Sequence, residues 1–176
     1  MTSAVTLTRV DYRNPQHATD LVTLLDQYAG DVSGGGRPLS DEVKRELAGR
    51  LAERPDAVSL LAYVAGVPVG LINCIEGFST FLARPLLNIH DVTVHADFRR
   101  RGIAGELLRA AERIAVERGC CKLTLEVLSG NDGAKRAYER FGFTPYQLDP
   151  ALGHAVFMEK KLSDDVAIRD ATISPS

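Results

Sequence analysis

Cysteine is scarce in this sequence, tryptophan is absent, and neither sign of charge dominates. The three cysteines are Cys74, Cys120 and Cys121. Their number is odd, and the adjacent pair lacks metal-ligand spacing. Neighbouring cysteines also rarely bridge each other. A disulfide framework and a cysteine metal site are therefore excluded. The thiols read as small apolar residues in a reducing, cytoplasmic setting. No apolar run approaches the ~20 residues of a membrane span. The N-terminus lacks the charged start and apolar core of a secretory signal. Lysine plus arginine total 21 against 23 acidic residues, a net charge of −2, and aromatics make up 6%. No basic, aromatic-rich surface for nucleic acid is expected from that balance. Internal repeats are absent. So is any Ser/His/Asp or Cys/His arrangement suited to a covalent acyl-enzyme.

What is present is an ordinary globular composition, 45% hydrophobic and 25% charged. The length fits one domain, placed at residues 1–162. A weakly patterned tail over 163–176 follows, ending in Ser-Pro-Ser. Val5 to Val10 reads as a strand. Asn14 caps a helix carrying Ala18, Leu21, Val22, Leu24 and Leu25, which should end before Gly30. Residues 30–39 hold four glycines and a proline and read as a mobile loop. Ser40 caps a second helix over Val43 to Leu51. Strands are predicted over Val58–Val64 and Leu71–Ile75, joined by a turn across Gly66–Gly70. Residues 77–85 read as a loop with Phe78 and Phe81, and Leu86–Val94 as the next strand. Ile103 to Arg118 is strongly amphipathic and stops at Gly119, a left-handed cap position. Lys122–Val127 alternates as a strand, with Leu123, Leu125 and Val127 facing inward. Asn131–Phe141 reads as a helix, and Phe143 and Ala155–Leu162 as closing strands. The order predicts a mixed sheet with helices packed on it.

Two segments carry chemistry. The turn Arg99-Arg-Arg-Gly-Ile-Ala-Gly105 leads into a helix. Glycine at 102 and 105 and alanine at 104 allow close backbone approach, and the helix N-terminus offers unpaired N–H groups. Such a turn suits a pyrophosphate, and the arginines add attraction. It is neither a Walker loop nor a G-x-G-x-x-G fingerprint. A solvated arginine run before an ordinary helix has the same composition. The second segment is Leu86–Val94. Leu87 and Ile89 share one parity, Val92 and Val94 the other. One inserted residue at His90-Asp91, a β-bulge, restores a single buried face. A strand buried on both faces is the alternative, and it demands partners for His90 and Asp91.

These segments resemble the GNAT acetyltransferase superfamily. Its Arg/Gln-x-x-Gly-x-Gly/Ala signature is matched by Arg99, Gly102 and Ala104, followed by Leu107-Leu108. Asn131-x-x-Ala134-x-x-x-Tyr138-x-x-Phe141-Gly142-Phe143 resembles the family's asparagine-led helix, and Ile89–Val94 its preceding strand. The likeness is close over residues 86–146 and follows only element order elsewhere. It implies an α+β GNAT fold: a mixed, mostly antiparallel sheet of about six to seven strands with flanking helices. A bulge splay is implied between the fourth and fifth strands. It also implies acetyl-CoA as cosubstrate, an amine acceptor, no metal, and no nucleic-acid or membrane partner. Many members of the family dimerise, although no interface is legible in this chain.

The resemblance further implies that backbone N–H groups of Arg100, Arg101, Gly102, Ile103, Ala104 and Gly105 hold the pyrophosphate, with Arg99 opening the signature. Val92, Thr93 and Val94 would pair with pantetheine like an added strand. The Val92 N–H would polarise the thioester carbonyl. Asn131 would hydrogen-bond the CoA arm, with Ala134 in the same motif. Tyr138 matches the tyrosine placed beside the thioester sulfur, as general acid, although its apolar helix face also suits a core residue. The attacking amine must lose a proton, because a free alkylammonium has a pKa near ~10. Asp91, His90, Glu126 and the more distant Glu76 are the candidate bases. Structural hydrogen bonding is the alternative for Asp91 and His90, and a solvated face for Glu126. The acceptor reads as a small-molecule primary amine. A protein N-terminus or lysine, and a non-catalytic acyl-CoA-binding module, are the alternatives.

Overall fold

The computed structural model describes residues 4–147, 149, 151, 153 and 155–162. The described residues up to Phe143 form one compact unit, and the described residues from Thr144 onward belong to a second. The first unit runs β1 (Val5–Arg9), α1 (Pro15–Gly30), α2 (Asp41–Ala52), β2 (Ala57–Val64), β3 (Val67–Ser79), β4 (Arg84–Val94), α3 (Ile103–Glu117), β5 (Leu123–Leu125) and α4 (Asp132–Phe141). The five strands lie in sequential order; β1 to β4 are antiparallel, and β5 joins β4 in parallel.

The helix starts follow local chemistry. The Asn14 side chain accepts hydrogen bonds from the N–H groups of Gln16 and His17, and Ser40 accepts from Val43. Each satisfies donors that the first helical turn leaves unpaired. α1 continues through Gly30, one residue past the expected stop, and the glycine-rich stretch after it holds a 3-10 turn over Val32–Gly34.

Alternate strand residues feed two separate cores. One sheet face packs Leu60, Ala62, Val69, Ile72, Cys74, Leu87 and Ile89 against Ile103, Leu107, Leu108 and Ala111 of α3. The other packs Leu61 and Leu71 against Leu21 and Leu24 of α1, with Leu47 and Leu51 of α2 alongside. Burial on both faces explains why β2 reads as an almost continuous apolar run. Gly70 is required by close approach. A Cβ there would lie 3.1 Å from both Ile103 and Leu107, so its absence lets the first turn of α3 settle onto β3.

Several expectations are corrected. The hairpin turn is Ala65-Gly66, both at positive φ, and β3 begins at once at Val67. Pro68 sits inside β3 at a register shift opposite Ala62/Tyr63, a bulge position where a missing N–H is tolerated. Residues 77–79, 84 and 85 belong to strands rather than a loop, paired as Gly77↔Leu86, Phe78↔Pro85 and Ser79↔Arg84. β5 covers three residues where six were expected, and Val127 is exposed.

Among the described residues the sheet has five strands rather than six to seven. Phe143 is not a strand residue. Its N–H bonds to the Tyr138 carbonyl, closing α4, whose C-cap Gly142 is left-handed. The described residues of 155–162 form no strand. Apolar patterning by itself is a weak predictor of a strand, because strand preference depends on context more than on the segment's own residues. The tail at 163–176 lies outside the described residues.

Candidate active site

The sheet opens where β4 and β5 part. Their ladder pairs Leu87, Asn88 and Ile89 with Leu123, Thr124 and Leu125 and ends there. On the other side, β4 stays paired with β3 from one end to the other, with one irregularity. Asn73 pairs with Asp91 and Cys74 with Ile89, so His90 has no partner. This is the bulge expected from the change of parity. It keeps Leu87, Ile89, Val92 and Val94 on the α3 face and turns Asp91 and Thr93 toward α1. Beyond the bulge, residues 91–94 present a backbone edge without a strand partner among the described residues. An extended chain can add to such an edge.

That edge runs into the arginine turn. A 3-10 turn, Ala96–Phe98, is followed by Arg100 at φ +62 and Gly102 at φ +82. A left-handed arginine is costly, of order ~1 kcal/mol or more. Gly102 is the N-cap of α3 and supplies no side-chain cap. The first-turn N–H groups therefore have no capping side chain, and the space beside Gly102 is open, the arrangement that attracts an anion. Ile103, buried against β3, fixes the start of the helix.

The arginines also brace the turn. Arg99 donates from Nε to the Val94 carbonyl (3.1 Å) and from Nη2 to Asp31 Oδ2 (2.7 Å). Arg101 donates to the Asp97 carbonyl at 2.9 Å and lies 4.9 Å above the Phe98 ring. The Arg100 side chain is exposed. The Arg99 hydrogen bond, with help from Ser33, holds the Asp31 carboxyl at about 2. A cavity of about 210 Å³ lies between α1 and the end of β4, bounded by Tyr28, Asp31, Thr93, Val94 and Arg99.

Tyr138, on α4, packs against the α3-face core and meets Phe143 edge-on at 5.9 Å. Burial, reinforced by nearby Tyr28, pushes its phenol up to about 12. It therefore carries its proton at neutral pH. Asn131 caps α4: its Oδ1 accepts from the Ala134 N–H at 3.1 Å. That bond orients the side chain and leaves its amide donors outside the cap.

The candidate bases occupy different settings. Asp91 is half-buried and accepts from Asn73 Nδ2 at 3.0 Å. His90 is exposed, its Nδ1 3.0 Å from Asn88 Oδ1. Glu126 is exposed past the end of β5. Glu76 is committed to Arg118 at 3.0 Å. The bulge and the strand end thus bring Asp91 and His90 to the mouth of the splay. Two neighbours escaped sequence reasoning. Tyr28 lies close enough to Asp91 and Asp31 for their charge, after burial, to raise its phenol. Asn73 holds Asp91 directly. Neither carries a motif; an isolated asparagine in an apolar strand was the only visible signal. Among the described residues no three His, Cys, Asp or Glu side chains cluster as a metal site, and no helix is long and apolar enough to cross a membrane.

Comparison with known proteins fits this geometry. A family model described as the acetyltransferase (GNAT) family matches residues 21–143. An uncharacterized N-acetyltransferase of Methanocaldococcus jannaschii is 35% identical over 94 residues, covering 53% of this chain; the match spans 42% of that relative's own length. An aminoglycoside acetyltransferase from an uncultured soil metagenomic sample, solved with trehalose, has a TM-score of 0.73 at 17% identity, covering 90% of this chain and 97% of the other. A ribosomal-protein-alanine N-acetyltransferase from Brucella melitensis biovar Abortus 2308 has a TM-score of 0.63 at 23% identity, covering 83% and 99%. At those identities the solved structures speak for the fold, whereas the family match extends over most of the sequence. With the bulged fourth strand, the parted fifth and the glycine-capped turn all inside the matched span, the chain belongs to the acetyltransferase (GNAT) family.

Proposed function

We propose that this protein transfers the acetyl group of acetyl-CoA to a primary amine of a small molecule, by direct attack in a ternary complex. The observation that carries the reading is the parting of β4 from β5 after Ile89 and Leu125, with the freed edge leading into the glycine-capped start of α3. In this reading, backbone N–H groups of Arg100 to Gly105 bind the pyrophosphate. Residues 92–94 align the pantetheine arm, and the Asn131 amide holds it. The Val92 N–H stabilises charge developing on the thioester oxygen, where a preorganised donor acts most strongly.

Asp91 takes a proton from the incoming ammonium, and the neutral amine attacks the thioester carbonyl. The C–N bond forms and the C–S bond breaks. As the tetrahedral adduct collapses the nitrogen loses its second proton to solvent, and Tyr138, still protonated at neutral pH, gives its proton to the thiolate and recovers one from solvent; Asp91 then returns its proton to solvent. Net, ammonium and thioester become amide and thiol, and one proton is released. Asp91 is preferred to Glu76, which is occupied by Arg118, and to Glu126, which lies past the end of β5. His90 is the second choice.

The small-amine reading draws support from the half-open cavity beside β4 with Asp31 at its wall and from the fold shared with an aminoglycoside acetyltransferase. The likeness to a ribosomal-protein-alanine acetyltransferase supports a protein N-terminus as second reading. CoA release should be measured over a panel of amino acids, polyamines, aminoglycosides and an alanine-initiated peptide. Turnover confined to the peptide overturns the small-amine reading; no saturable binding of CoA or its acyl forms overturns the whole.

A further inference from the structure

The α1-facing side of the sheet carries a line of polar side chains where its neighbours are apolar. Tyr12 Oη lies 2.9 Å from Ser59 Oγ, Ser59 Oγ 2.6 Å from Asn73 Oδ1, and Asn73 Nδ2 3.0 Å from Asp91 Oδ2. Ser59 is 1% exposed and Asn73 6%. The line crosses three strands in register, since Ser59 pairs with Asn73 and Asn73 with Asp91.

The direction of every bond follows from chemistry. Amide Oδ1 of Asn73 can only accept, so the Ser59 hydroxyl donates to it. The Tyr12 hydroxyl must then donate to Ser59. Asn73 Nδ2 donates to the carboxylate. All three donors point toward Asp91, and successive bonds in such a chain polarise one another.

Leucines at 59 and 73 would extend the Leu61–Leu71 core at less desolvation cost, because buried polar groups are tolerated only when fully paired. Stability therefore gives no reason for the line. The bulge supplies one. Without His90 as an extra residue, Asp91 would share the face of Leu87 and Ile89. With it, Asp91 turns to the α1 face, where Asn73 meets it.

We infer that Asn73, backed by Ser59 and Tyr12, forms a positioning chain that fixes the Asp91 carboxylate for proton abstraction, an inference that rests on Asp91 being the base. The chain holds Oδ2 and leaves Oδ1 outside it, so one oxygen anchors the carboxylate while the other meets the amine. Asn73 is a positioning residue, because it acts through Asp91.

Kinetics and a spectroscopic signal test this together. In Asn73→Leu, kcat with the best amine of the panel should fall roughly tenfold or more through lost orientation, with acetyl-CoA affinity by calorimetry unchanged. In an Asp91→Asn background the same substitution should cost almost nothing further, since residues acting as a unit are non-additive. Tyr12→Phe, isosteric and only half-buried, tests the far end if Asn73→Leu does not fold; a loss of about twofold is expected there. Independently of any acceptor, the Asn73 side-chain amide resonance should shift in both Asp91→Asn and Tyr12→Phe. Wild-type kcat in folded Asn73→Leu, fully multiplicative losses in the double variant, or an amide resonance unmoved by Tyr12→Phe overturns the chain. Wild-type kcat in Asp91→Asn, with the amide resonance still coupled to Tyr12, overturns the choice of base and leaves the coupling itself standing.

Discussion

The two faces of the sheet are made from alternate residues of the same strands, yet they are built to different ends. Toward α3, the residues paired across β2, β3 and β4 are Val58, Cys74 and Ile89, and Leu60, Ile72 and Val92, all apolar. Toward α1, Leu61 and Leu71 adjoin Ser59, Asn73 and Asp91. The first face obtains its stability from burial, at ~25 cal/mol per Å² of apolar surface. The second gives up part of that gain to hold a carboxylate at the place where the sheet splits. Position on one side or the other of a strand thus separates apolar packing from the proposed base, whereas the proposed acid, Tyr138, packs from α4 on the α3 side.

Variants can break or sharpen this contrast. Leu107→Ala empties a fully buried site on the apolar face and should cost about 3 kcal/mol in urea unfolding. The molecules that remain folded should keep their turnover; a selective loss of kcat would erase the distinction. Tyr138→Phe should do the reverse. Turnover should drop by about a hundredfold, the usual scale of general-acid loss, with acetyl-CoA binding retained. Gly70→Ala pushes a methyl toward Ile103 and Leu107 at 3.1 Å. It should destabilise by about 1 kcal/mol and weaken CoA binding by displacing the start of α3, a coupling that calorimetry would read.

The smallest effects are in pH dependence. The Tyr138 phenol is raised to about 12 by burial, so its contribution is complete below its ordinary 10.0 and is lost as pH rises from there toward 12. Alkaline unfolding should be shallower over that window in Tyr138→Phe. Asp31 is lowered from 3.8 to about 2. Its contribution is present above 3.8 and is lost as pH falls toward 2. Asp31→Asn should flatten that part of the acid limb, by a small amount because the pair with Arg99 is open to solvent.

Much of the fold was legible. Asn14 and Ser40 announced two helices by capping, and Gly119 one helix end, because these effects are local. The switch of apolar parity at His90-Asp91 announced the bulge, because one residue reverses every side chain beyond it. The extent of β3 through Gly77-Phe78 was illegible. Glycine and proline argue locally for a turn, and only pairing with Pro85 and Leu86 overrides them. The brevity of β5 had the same origin, since its length is set by where β4 departs and not by Leu123–Val127 itself.

The amino-acid sequence alone determined the local features: the caps, the amphipathic face of α3, the left-handed Gly119 and the parity switch. Each depends on residues within a turn or a strand's length. Tertiary structure alone decided that Asn73 meets Asp91, that Tyr28 approaches both Asp91 and Tyr138, and that Arg99 reaches Asp31 across 68 positions of chain. Those contacts depend on strand register and helix packing, and no spacing along a single chain encodes them.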